Sequence, residues 1–167
     1  MLRRLFLTLV LLGPVASLAA QDAPLTVFVV RHAEKGPETP DPSLTDAGRH
    51  RAAELARILS DAHVTVLFAS EFKRTLETLA PLAKATGLIP MVVSAGKMDD
   101  LISMLRALPP GSRAVVASHS NLVHLIVERL SGQKISMLGD QDYDRLVVVT
   151  VQGDGKGQAI VLRYGER

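Results

Sequence analysis

The sequence predicts an α/β domain, a three-layer α/β/α sandwich around a mostly parallel but mixed sheet. Three features carry this expectation. Short valine-rich apolar runs alternate with longer amphipathic stretches along most of the chain. The first run, LTVFVV at residues 25–30, lacks the polar alternation of a half-exposed strand and suits a parallel sheet covered on both faces. The last two runs, 145–151 and 159–163, are separated by the glycine-rich QGDGKGQ, so they form a hairpin and must pair antiparallel.

The elements follow in order. After the strand at 25–30, Pro37, Pro40 and Pro42 impose a loop, because each proline restricts the residue before it. A helix covers LTDAGRHRAAELARILSDA, with Ser43 or Thr45 as its cap and Ala52, Leu55, Ala56 and Leu59 on one face. VTVLFA at 64–69 is the second strand. Residues 71–86 form the second helix, bent at Pro81 and ended by Gly87. A short strand at 89–93 precedes a helix at 98–108 that Pro109 and Pro110 stop. RAVVASHS supplies a fourth strand and NLVHLIVERLSG a fourth helix closed by Gly132. No repeat, linker or low-complexity tract interrupts this pattern, and 167 residues suffice for one domain with its own core.

The first twenty residues stand apart. Arg3 and Arg4 precede the apolar run 5–12, Gly13-Pro14 breaks it, and VASLAA offers small residues for cleavage after Ala19 or Ala20. This is the three-part pattern of a secretory signal peptide. The run is far short of the roughly 20 apolar residues of a spanning helix. The expected organisation is therefore a signal peptide at 1–20 and an α/β domain at 21–167, exported to a periplasm or secreted, with no stable membrane anchor after cleavage. The whole chain has 19 Lys and Arg against 17 Asp and Glu. Without the segment carrying Arg3 and Arg4 the formal charge is zero, so no nucleic-acid partner is indicated. Cysteine is absent, which excludes thiol nucleophiles and a disulfide framework.

In open α/β sheets, sites form beyond the carboxyl ends of the strands. Here the first strand ends in Arg31-His32, the second in Ser70 with Arg74 one turn into the next helix, and the fourth in Ser118-His119-Ser120-Asn121. Two guanidiniums and two imidazoles thus share one predicted edge. Guanidinium forks and helix N-termini match the oxygens of a phosphoryl group. His32 is the candidate nucleophile, its imidazole nitrogen attacking phosphorus to give a phosphohistidine. Arg31, Arg74 and His119 are candidates for holding the phosphate, with no metal or other cofactor required. His50, His63 and His124 are expected to be surface or peripheral residues. A metal hydrolase is disfavoured because Arg31 and Arg74 oppose a divalent cation and HExxH is absent. G-x-S-x-G is absent too, and GDGKG at 153–157 lies between strands, so it is a turn rather than a phosphate loop.

In this order the motifs resemble those of the histidine phosphatase superfamily, with the phosphoglycerate mutase-like fold. Arg31-His32-Ala33 stands for the family's Arg-His-Gly, and Leu44-Thr45-Asp46-Ala47-Gly48 matches Leu-Thr-x-x-Gly. Ser70 to Arg74, with Thr75 and Thr78, matches Ser-x-x-x-Arg, and Ser118-His119-Ser120-Asn121 stands for a Gly-His-Ser-like turn. The resemblance implies phosphorylation of His32, catalytic participation of His119, and a phosphate pocket of Arg31, Arg74 and His119. It leaves the leaving-group acid open. Glu34 is nearest in sequence to the nucleophile, and Asp99 with Asp100 heads a helix at the same edge. The expected activity is hydrolysis of phosphomonoesters on a phosphorylated small-molecule or macromolecular substrate. The alternative is a catalytically weak or inactive domain that binds phosphorylated ligands.

Overall fold

The computed structural model describes residues 23–38 and 40–166. The segment at 1–20 expected to be a signal peptide lies outside them. The described residues form six strands, β1 (Leu25–Arg31), β2 (Val66–Ala69), β3 (Met91–Val92), β4 (Arg113–Ser118), β5 (Arg145–Val151) and β6 (Gly157–Arg163). Four helices join them: α1 (Asp46–Ile58), α2 (Lys73–Thr86), α3 (Met98–Arg106) and α4 (Ser120–Ser131). The sheet order is β3-β2-β4-β1-β5-β6. The β3-β2, β2-β4 and β4-β1 pairs are parallel, whereas β1-β5 and β5-β6 are antiparallel, giving the expected mixed sheet.

Period-2 alternation divides the core. Val27 and Val29 of β1 face α3 and α4, packing with Leu101, Leu105, Val123, Ile126 and Leu130. Val30 joins the opposite layer, with Leu55 and Leu59 of α1 and Leu79 and Leu82 of α2. Burying each such side chain contributes about 1.5–3 kcal/mol, so both faces of β1 are firmly held and its carboxyl end is fixed in space.

The boundaries differ from expectation in physically readable ways. The third strand shortens from 89–93 to Met91–Val92. Pro90 has no N–H for the ladder, although Val93 N still donates to Ala69 O at 2.9 Å. The first helix begins at Asp46 because Thr45 caps it, its hydroxyl accepting from Gly48 N at 3.1 Å. The second helix continues through Pro81 as one element. GDGKG is confirmed as the turn between β5 and β6.

Candidate active site

Strand register brings the predicted clusters to one height. Arg31 of β1 is level with Ser118 of β4, and Ala69 of β2 is level with Ala117 of β4. One residue beyond the ladder, the chain presents His32, Ser70 and His119 side by side. His32 N donates to Ser118 O at 2.9 Å, extending the ladder to the His32 backbone. The His32 and His119 rings meet edge-on with centroids 5.5 Å apart. Arg31, His32, Lys35, Phe72, Arg74, His119, Ser120, Asn121 and Asp140 help line an open cavity of about 460 Å³.

The His32 ring is held in one tautomer. Its Nδ1 lies 2.8 Å from Ala33 O, a carbonyl that only accepts, so Nδ1 carries the proton and Nε2 keeps the lone pair. The Ala33 N–H in turn donates to Thr78 Oγ1 at 2.9 Å, and Thr78 Oγ1 donates to Arg74 O at 2.6 Å. The threonine of α2 therefore locks the backbone beside His32. Burial pushes the His32 pKa down to about 3, with the charges of Arg31 and Arg74 acting in the same direction against the Ala33 hydrogen bond. The ring is neutral at pH 7.

His119, the second candidate imidazole, is also held in its neutral form. Burial, followed by the Arg74 charge, lowers its pKa to about 4. Its Nε2 lies 2.9 Å from Ser70 Oγ, which also meets Thr75 Oγ1 at 2.9 Å. Ser70 and Thr75 thus orient the second imidazole, leaving its Nδ1 for a ligand. His119 is also the N-cap of α4, so the first-turn N–H groups of that helix add positive potential beside it.

Each guanidinium rests on an aromatic ring. Arg31 Cζ lies 4.0 Å from the Tyr143 centroid and Arg74 Cζ 4.2 Å from that of Phe72. Arg31 Nη1 donates to Gly139 O at 2.8 Å and Asp140 O at 3.0 Å. Arg74 Nη1 is 3.7 Å from Asp41 Oδ1. The Nε atoms of both arginines are buried and have no hydrogen-bond partner among the described residues.

Glu34 and Asp99, two of the three acids considered from sequence, are placed elsewhere, and Asp100 is exposed outside the cavity lining. Glu34 takes Arg51 in a bidentate pair, with Arg51 Nε at 2.9 and 3.0 Å and Nη2 at 2.7 Å. It lines a separate cavity with His50, Arg51, Glu54 and Glu166. Asp99 pairs with Arg129 of α4 and is exposed. Neither lines the His32 cavity. Sequence reasoning missed Lys35, Phe72, Asp140 and Tyr143 as neighbours of the site. Lys35 adjoined the first motif, but the other three carried no motif of their own. His50 and His63 are exposed and His124 half-buried on α4, outside the cavity lining.

Comparison with known proteins agrees with this geometry. The family model described as "Histidine phosphatase superfamily (branch 1)" matches residues 27–99, which include His32, Ser70 and Arg74 but not His119. No curated protein matches. Among solved structures, the protein histidine phosphatase SixA complexed with tungstate superposes with a TM-score of 0.71 at 22% identity, covering 83% of this chain and 96% of that one. A mycobacterial glucosyl-3-phosphoglycerate phosphatase gives 0.68 at 14% identity, covering 84% and 99%. A structure described as mycobacterial hydrolase 2 gives 0.70 at 14% identity, covering 87% and 93%. At these identities the superpositions establish the fold. With the motif order and the family match, the chain is similar to the histidine phosphatase superfamily over residues 27–99.

Proposed function

We propose that the protein is an exported, metal-independent phosphatase that hydrolyses phosphomonoesters through a phosphohistidine on His32. The observation that carries this reading is a pairing of unmet groups around one cavity. A neutral imidazole has its Nε2 lone pair uncommitted, and two arginines beside it have buried Nε donors without partners. Both guanidiniums line the same cavity, where their N–H groups can donate to phosphoryl oxygens.

In the first step His32 Nε2 donates its lone pair to phosphorus, the P–O bond breaks with its electron pair going to the leaving oxygen, and that oxygen takes a proton from water in the open cavity. Charge on the equatorial oxygens is met by Arg31, Arg74 and the first turn of α4. Ser70 holds the His119 ring through Nε2 at 2.9 Å, leaving the Nδ1 edge towards a bound ligand. Asp140 is the acidic residue among those that line the cavity. In the second step water attacks phosphorus and gives up a proton to solvent, the N–P electron pair returns to Nε2, and hydrogen phosphate departs with His32 again neutral. Lys35, Arg31 and Arg74 oppose a divalent cation, and no cluster of three metal-binding side chains occurs among the described residues. Export rests on the n-region, apolar run and small-residue cleavage site within residues 1–20.

Rapid quench with a radiolabelled activated phosphoester tests the mechanism. Acid-labile, base-stable label should appear on wild-type protein and be absent from His32→Ala. Full activity in His32→Ala would overturn the nucleophile assignment. Phosphate binding without turnover or phosphoenzyme would make the domain a phospho-ligand binder instead.

A further inference from the structure

The segment between α4 and β5 carries no catalytic motif, yet it supplies most of the surroundings of Arg31. Leu138 is buried in the core and anchors its start. Residues 139–143 then form a tight turn. Gly139 N donates to Asp142 Oδ2 at 2.9 Å, Asp142 N to Gly139 O at 3.1 Å, and Tyr143 N to Gln141 O at 3.1 Å. Asp142 Oδ1 lies 3.6 Å from Arg145 Nη2 at the start of β5, tying the turn to the sheet. The turn is therefore a built element, and it approaches Arg31 from two directions. The Gly139 and Asp140 carbonyls take Nη1, and the Tyr143 ring covers the guanidinium face at 4.0 Å.

We propose that this turn is a clamp for Arg31 and that Tyr143 is a positioning residue, acting on the phosphoryl group through the guanidinium. The inference rests on the reading of Arg31 as a phosphate ligand. A free arginine samples many rotamers, and ordering it on binding weakens affinity. Here three contacts fix the side chain beforehand and leave Nε uncommitted. The ring is the working part of Tyr143. It is half-buried, its centroid is 6.2 Å from that of His32, and its hydroxyl makes no hydrogen bond among the described residues. Phe72 covers Arg74 at 4.2 Å, so both guanidiniums of the site are held by the same device. The chain has four Phe, two Tyr and no Trp, and one of each is spent on a site arginine.

The test measures binding of inorganic phosphate by calorimetry on the full mature protein, alongside kcat and KM. Tyr143→Leu keeps the apolar bulk but removes the π-face, and should weaken phosphate binding about tenfold. Tyr143→Phe should recover most of that loss. In an Arg31→Met background, Tyr143→Leu should have no further effect, because a positioning residue loses its role with the group it positions. Asp142→Ala, which loosens the turn without touching the ring, should produce a smaller loss with the same dependence on Arg31, and it serves if Tyr143→Leu does not fold. The clamp is refuted if Leu and Phe behave alike, or if the loss persists undiminished without Arg31. Phosphate binding that follows this pattern without any turnover would sink the phosphatase reading and leave the clamp standing. A wild-type protein that binds no phosphate would overturn both.

Discussion

A buried neutral histidine makes folding stability depend on pH, and His32 gives the dependence a defined window. It is 4% exposed, and burial lowers its pKa from 6.5 to about 3. The folded-state pKa is the lower one, so the unfolded chain binds the proton more readily. The contribution is fully present above pH 6.5 and is lost as pH falls from there towards 3, where the folded state also protonates. At pH 4.5, two units into that window, each unit is worth about 1.4 kcal/mol, an upper value near 2.7 kcal/mol. Because the ring borders an open cavity, about 2 kcal/mol is the working expectation. Urea unfolding followed by far-UV circular dichroism at pH 7, 6, 5 and 4.5 would measure it, comparing wild type with His32→Gln. Carboxylates and His119 titrate in both proteins and cancel in the difference. Wild type should lose about 2 kcal/mol more than the variant between pH 7 and 4.5. Parallel curves, or a steeper loss in the variant, would refute the claim that His32 is buried neutral.

Other predictions follow from single contacts. Thr78→Val keeps the shape but leaves Ala33 N–H buried without its 2.9 Å acceptor; unfolding free energy should fall by about 1–3 kcal/mol and kcat should drop with it, and unchanged kcat would show that the backbone beside His32 needs no such lock. Gly48→Ala places a Cβ 2.2 Å from Glu34 O, so the start of α1 must move off the segment that follows β1 and contains His32; a loss of about 1–3 kcal/mol in denaturation is expected, and wild-type stability would contradict the close approach. Glu34→Gln breaks the bidentate grip on Arg51 and should cost about 1–3 kcal/mol of stability while kcat stays within about threefold of wild type. A collapse of kcat at unchanged stability would restore Glu34 as the acid.

The parts of the site that the sequence disclosed are those tied to strand ends. Arg31-His32, Ser70 and Ser118-His119 each follow an apolar run, and parallel register leaves little freedom in where such residues emerge. The threonines after Arg74 were legible as a pattern, but their task was not. Thr78 acts on the Ala33 backbone, and Thr75 acts on Ser70. The clamp on Arg31 was not legible at all. Two of its contacts are main-chain carbonyls more than 100 residues away, and a carbonyl has no residue type to read. Glu34 shows the opposite failure. It is two residues from the nucleophile in sequence, yet beyond the strand end the chain turns towards α1, where Arg51 takes its carboxylate and also donates to Tyr164 O at 2.9 Å. Proximity along the chain predicts proximity of side chains only while the backbone keeps a regular period.

The electrostatics of the site have a consequence for how a phosphoryl group would be handled. Two permanent cations lie beside two imidazoles, and both rings are held neutral by burial and by those cations. The nucleophile therefore needs no base to deprotonate it, and the arginines can attract the dianion without competing with a protonated His32 for its oxygens. Once bound, the dianion reverses the field at both rings and raises their affinity for protons. His119 can then take up positive charge as the transition state needs it, while His32 forms its bond to phosphorus through Nε2 and keeps its Nδ1 proton on Ala33 O. The same arrangement ties His32 neutrality to Arg31 and Arg74. Any change that displaces either guanidinium, including loss of its aromatic support, should raise the His32 pKa as well as weaken phosphate binding.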